Sequence, residues 1–206
     1  MQKKITSLII QYPYNHIEIG LAHNDLVIDS IQEDKHSISR RLIPDIDALL
    51  QRNNLTLSGI DYITINCGPG PLNTLRGILA TANAIHFTKQ IPLVSLDALE
   101  LLESEQTAGY TTIPLLQAFS KHVYLRYKQK NYDIAFDMIT SMLQPDEPYY
   151  FVGNGAIIHK ELLQIQFPKS LCAQAISFPS LEQCAQAGWK KYQTQAFVTE
   201  FSPIYV

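Results

Sequence analysis

The chain of 206 residues carries 16 Lys and Arg against 19 Asp and Glu, a formal charge of −3, and its cations are spread too thinly for it to grip nucleic acid unaided. A chain of this length buries roughly 70 % of the surface its unfolded form exposes, so one or two lobes can form without metals or disulfides. The three cysteines, Cys67, Cys172 and Cys184, show no C-x-x-C spacing, which argues against a disulfide framework or zinc site and points to a reducing cytoplasm. The apolar run at residues 5–10 is too short for a signal core or a membrane span.

The first elements read as strands. Residues 5–10 are β-rich and almost continuously apolar. Ile17, Ile19 and Leu21 alternate with polar residues, and residues 26–31 repeat that theme after a His23-Asn24-Asp25 turn, predicting a three-stranded meander. The period then changes to helical at Ile38, Leu42, Ile43, Ile46, Leu49 and Leu50. Ser37 or Ser39 is expected as N-cap and Arg52-Asn53-Asn54 as the stop. Pro44 predicts a bend, or a later start, in this helix.

Residues 62–66 read as a short strand that stops at Gly68-Pro69-Gly70-Pro71 and runs directly into a helix over 71–87, with Pro71 expected at its first position. A helix N-terminus at a strand end is a place for an anion, since its first N–H groups lack partners. Here Gly68, Gly70, Asn73 and Thr74 would form a degenerate loop of that kind: no Gly-Lys-Ser/Thr follows, and two of its positions are prolines without an N–H. Leu75, Leu79, Ala82 and His86 make one stripe of the helix. Gly77, Ala80 and Ala84 make a second face with almost no side chain, read first as internal packing against the sheet and otherwise as room for a neighbouring helix.

A strand at 91–94 and a helix from Ser95 or Asp97 complete a first lobe, 1–106, of order βββαβαβα. A smaller second lobe, 107–206, is predicted to hold strands at 111–118, 123–128, 134–139 and 149–152. The last of these ends in Gly153-Asn154-Gly155 before a helix over 156–164. The final helix opens at Ser180 with Gln183 at capping-box spacing and puts Leu181, Cys184, Ala185, Gly188, Trp189 and Tyr192 on one face; this last segment is expected to pack back on the first lobe.

Between residues 42 and 102 the stretches LIPDIDALL, YITINCGPG, LRGILATANAIHF and IPLVSLDALELL resemble the TsaB (YeaZ) family. The resemblance implies a two-lobed, α/β, actin-like ATPase (ASKHA, ribonuclease H-like) fold, with mixed sheets flanked by helices. The family loop GPGSFTGLR stands here as GPGPLNTLR over residues 68–76. Weaker matches lie at 113–127, at Phe151-Val152-Gly153-Asn154-Gly155 and at Ser202-Pro203-Ile204-Tyr205. Departures bear on chemistry. The family's Asp-Thr-Ser after the first strand is replaced by Gln11-Tyr12-Pro13-Tyr14, and its Asp and Arg of the second lobe by Gln117 and Phe119, while the His-Ser pair opening the first long helix is shifted to His36-Ser37.

No catalytic constellation emerges from the residues. There is no G-x-S-x-G, no H-E-x-x-H and no His-x-x-x-His, and His16, His23, His36, His86, His122 and His159 are scattered. Asp45 and Asp47 sit two apart on a helix and cannot act as a dyad. Cys67, beside the turn, reads as a small buried residue before it reads as an activated thiol.

The resemblance implies a non-catalytic subunit of the tRNA threonylcarbamoyladenosine modification complex that binds and stabilises a TsaD-like enzyme. A TsaE-like ATPase joins the expected complex, tRNA is engaged only through it, and the chain self-associates when alone. Neither a metal nor a cofactor of its own is expected, and the residues give no support for ATP and magnesium at a complex interface. Ile38, Leu42, Leu49, Leu75, Leu79, Ala82 and His86 are the candidate interface residues. An interaction protein of the same fold with another partner, a nucleotide-binding ASKHA enzyme and an inactive peptidase-like relative stay open as alternatives.

Overall fold

The computed structural model describes residues 4–34 and 38–206, so the expected Ser37 cap and the His36-Ser37 pair lie outside the described residues. The chain divides into two units: Met1–Asp97 with Ser180–Ile204, and Ala98–Pro179 with Tyr205–Val206.

In the first unit β1 (Thr6–Gln11), β2 (His16–His23) and β3 (Leu26–Asp34) form the meander. Helix α1 (Ile38–Arg52) leads to β4 (Tyr62–Asn66), α2 (Leu72–Lys89) and β5 (Leu93–Leu96). The sheet order is β3-β2-β1-β4-β5, with the meander antiparallel and β1, β4 and β5 parallel. Strand period two sends Leu8, Ile10, Ile63 and Ile65 to one face, where they meet α1 and α2 in one apolar core.

Ser7, Gln11, Thr64 and Asn66 alternate with those residues along the same two strands and are also buried. The last helix of the chain packs against β1, β4 and β5. At Gly188 the approach is close: a Cβ there would stand 2.7 Å from Thr64 Oγ1, while Tyr192 of the same helix stacks on Tyr62. Its Ser180 cap and Gln183 form the capping box expected from their spacing.

The second unit begins with α3 (Ala98–Glu103), which packs against β6 (Thr111–Gln117) and β7 (His122–Tyr127). There follow β8 (Lys130–Ala135), α4 (Ile139–Met142), β9 (Tyr149–Val152), α5 (Asn154–Ile158), α6 (Lys160–Gln166) and β10 (Leu171–Cys172). Helix α7 (Leu181–Gln193) is the one that returns to the first unit. The second sheet runs β10-β9-β6-β7-β8.

Three local expectations are corrected. The strand read over 134–139 ends at Ala135 and gives way to a 3-10 turn (Phe136–Met138) and α4, because Phe136, Ile139 and Leu143 bury one helical face in the core of the second unit. Pro71 precedes α2 as its cap, with ψ 105°, and is not its first helical residue. The helix read over 156–164 is two short helices broken at His159.

Gly153 is held at φ +107°, where a side chain would also stand 2.4 Å from the Leu115 carbonyl oxygen. Gly153→Ala is therefore expected to destabilise the second unit by about 3 kcal/mol, combining backbone strain with overpacking. A thermal melt in which the variant matches the parent would contradict this.

Candidate functional site

Most of the predicted interface residues face inward. Leu42, Leu49, Leu75, Leu79 and Ala82 are buried against the sheet, as is Ile78. His86 is half-buried and its Nδ1 donates to the Ile91 carbonyl at 2.7 Å, tying the end of α2 to the approach to β5. Ile38 opens α1, and its side chain lies outside the described residues. The stripe named from the sequence is thus the sheet-facing stripe. Side chains of that size are the ones a sheet consumes, and helical periodicity alone does not say on which side the sheet lies.

The opposite expectation for the small face is corrected in the same way. Gly77, Ala80 and Ala84 are exposed, and a Cβ built at Gly77 meets nothing within 4 Å. Phe87, one turn further along this row, is 79 % exposed.

Ala80 and Ala84 form one wall of a groove between α1 and α2 with a volume of about 870 Å³; Ile43, Pro44, Ile46 and Leu50 form the other. Ile43 is 66 % exposed, whereas Ile46 and Leu50 are buried in the floor. Two threonines on α2 add to its apolar character. Thr81 Oγ1 donates to the Gly77 carbonyl at 2.9 Å and Thr88 Oγ1 to that of Ala84 at 3.0 Å, so both hydroxyls are satisfied within their own helix. Pro44 lies inside α1 without delaying its start; it lines the groove, exposed to solvent.

The position of α1 is fixed at its far end by Asp29 on β3. Arg52 donates from Nε and Nη2 to the two carboxylate oxygens at 2.7 and 2.6 Å, and Asn53 Nδ2 donates at 2.6 Å. The Arg52 guanidinium, aided by Asn53, holds the Asp29 carboxyl below its ordinary range.

The strand ends carry the polar chemistry. Gln11, at 1 % exposure, donates from Nε2 to Glu18 Oε2 at 2.6 Å, and its Oε1 accepts from Cys184 Sγ at 3.4 Å and Asn66 Nδ2 at 3.5 Å. Glu18 Oε1 lies 2.8 Å from His16 Nε2, and the Gly68 N–H donates to Asn66 Oδ1 at 3.2 Å. The amide at position 11 both gives and accepts hydrogen bonds; a carboxylate in its place could not donate to Glu18.

In the degenerate loop, the Gly68 N–H is thus committed internally, Gly70 and Thr74 are half-buried, and Asn73 is exposed at the start of α2. Burial pushes the Cys67 thiol up to about 11 and raises Cys184 as well, which leaves neither activated. Asp45 is buried beside Arg41 and Asp47 is exposed, so the two carboxylates face apart as their spacing requires.

Gln117, at the end of the first strand of the second unit, repeats the theme of Gln11. Its Nε2 donates to the carbonyls of Ala118 and His122, and its Oε1 lies 2.8 Å from His159 Nε2. Among the described residues, no group of three or more His, Cys, Asp or Glu is placed to hold a metal, and no helix is long and apolar enough to cross a membrane.

This architecture, two units built on mixed five-stranded sheets flanked by helices, is the actin-like ATPase fold. The family described as TsaD: tRNA N6-adenosine threonylcarbamoyltransferase matches residues 29–200, and the chain belongs to that family. In fold it follows YeaZ from Pseudomonas aeruginosa, with a TM-score of 0.75 at 18 % identity, covering 98 % of this chain and 100 % of that one. The resemblance to TsaB read from residues 42–102 accordingly holds in fold over almost the whole chain.

An uncharacterized protein of Mycobacterium tuberculosis is 31 % identical over 103 residues, 49 % of this chain and 48 % of its own length. The tRNA threonylcarbamoyladenosine biosynthesis protein TsaB of Buchnera aphidicola is 19 % identical over 116 residues, 56 % of this chain and 55 % of that protein. The chain thus spans about half the length of the curated relatives it matches.

The lowered Asp29 pKa sets a pH dependence. A carboxylate whose folded pKa is depressed stabilises the fold above its unfolded pKa, and that stability is lost as pH falls through the folded value. Asp29→Asn is therefore expected to lower the melting temperature at neutral pH and to lose that deficit below about pH 4, the ordinary carboxylate range. Melts of parent and variant that stay equally far apart down to strong acid would refute the clamp.

Proposed function

We propose that this chain is a non-catalytic partner subunit in the synthesis of threonylcarbamoyladenosine on tRNA, and that it docks a TsaD-type enzyme through the α1–α2 groove. The carrying observation is the groove itself: an apolar floor between two helices, flanked by the exposed row Gly77, Ala80, Ala84 and Phe87. Small residues along one helix let a second helix approach closely, and exposed aromatic and aliphatic side chains beside such a gap serve as anchors. Family membership over residues 29–200 supports a partner from the same pathway.

In this reading the chemistry belongs to the partner. Gln11 and Gln117 stand at the two strand ends where the family resemblance places acidic groups, and both amides are engaged in hydrogen bonds within the chain. Nucleotide, tRNA and a TsaE-like ATPase are met through the assembly, in a cytoplasmic setting. Alone, the chain covers the same groove with a second copy of itself.

Burial redirects the test of this interface. Leu79 is a core residue, 3 % exposed, so Leu79→Asp unfolds the first unit and reports nothing on docking. Ala84→Glu and Ile43→Asp alter exposed positions. Each is expected to weaken binding to the TsaD-type protein of the same cell by more than about tenfold, as loss of a central anchor does, with the melting temperature held within a degree or two. Titration calorimetry showing parental affinity for both variants would remove the groove as the docking surface.

A further inference from the structure

The second unit has a pocket of its own, about 560 Å³, lined by Lys121, His122, Phe136, Asp137, His159 and Leu162 among others. Its size is within the range of small-molecule sites. Three features define what it offers.

The first is a fixed tautomer. Gln117 uses its amide nitrogen on the Ala118 and His122 carbonyls, so its Oε1 must accept from His159, and the His159 proton is on Nε2. Nδ1 is then a lone pair, with no hydrogen bond from any described residue. The ring lies flat on Phe136, with centroids 4.0 Å apart and planes at 19°. Burial lowers the pKa of this histidine, which keeps it neutral at pH 7.

The second is a pair of opposite charges. Lys121 and Asp137 both line the pocket and both are exposed, and neither forms an ion pair with the other or with any other described residue. His122, beside them, is turned to Asp133, 2.7 Å from its Nδ1. The third is an apolar wall, made of Phe136 and Leu162.

We infer that this pocket is a binding site for a free α-amino acid with an apolar side chain. The ligand's ammonium meets the Asp137 carboxylate and the His159 Nδ1 lone pair, its carboxylate meets Lys121, and its side chain lies against Phe136 and Leu162. A ligand with one charge leaves one of the two protein charges unanswered. Because both charges are exposed, each pairing is weak and the dissociation constant falls in the millimolar range.

The test is an NMR titration of the full chain with L-phenylalanine, phenethylamine and 3-phenylpropanoate, which differ only in which charges they carry. L-phenylalanine is expected to move the resonances of Lys121, His122, Phe136, Asp137 and Leu162, with each single-charge analogue about fivefold weaker. Lys121 sits at φ 65°, so Lys121→Gly removes the cation while easing the backbone. It should weaken L-phenylalanine about fivefold at an unchanged or higher melting temperature. Asp137→Asn should do the same without altering the fold. If L-phenylalanine leaves these resonances in place, if an analogue binds as tightly, or if both variants bind as the parent does, the pocket is not an amino-acid site. None of these readouts depends on the α1–α2 groove or on a TsaD-type partner.

Discussion

The alternation of side chains along the paired strands β1 and β4 governs the first unit. Ser7, Ile9 and Gln11 point one way and Leu8 and Ile10 the other, and the parallel register with residues 62–65 continues both faces across the sheet. One face is aliphatic and calls for broad apolar cover, which α1 and α2 supply. The other mixes hydroxyls and amides with Ile9 and Tyr62 and is covered by α7, which comes close where Gly188 faces Thr64 and stacks Tyr192 on Tyr62. A one-residue slip in register would send both sets to the wrong helices.

With the large side chains of α1 and α2 turned to the sheet, what remains on their outer surface is the groove. Its walls are alanines, a proline, threonine side chains with internally bonded hydroxyls, the exposed Ile43 and one carboxylate, Asp47. A solvated helix face is ordinarily charged, and a row of Gly77, Ala80, Ala84 and Phe87 departs from that pattern. The clamp of Arg52 and Asn53 on Asp29 holds the end of α1 against β3, so the groove is built on anchored elements. At the strand ends, Gln11 and Gln117 each use both ends of the amide to tie neighbouring segments together, work a carboxylate could not do.

Much of this was legible in advance where the signal is local. The strand Tyr62–Asn66, the strand Tyr149–Val152 and the Ser180–Gln183 capping box are found where periodicity and cap chemistry put them. The short apolar run at 134–139 has a period that fits strand and helix about equally, and burial of Phe136 and Ile139 decides it. The groove was less legible. Leu75, Leu79 and Ala82 carry the loudest helical pattern and are core, whereas Ala80 and Ala84, quiet by any hydropathy measure, are the exposed wall.

The sequence by itself determined the order of most elements and the family likeness, because these depend on residue type and short-range spacing. Only the tertiary structure decided which face of α2 meets the sheet, that α7 covers the polar side of β1 and β4, and that His159, Lys121 and Asp137 line one pocket. The physical reason is that burial and proximity are properties of pairs of segments far apart in the chain. A helical stripe encodes its own phase and carries no record of the neighbour it will meet.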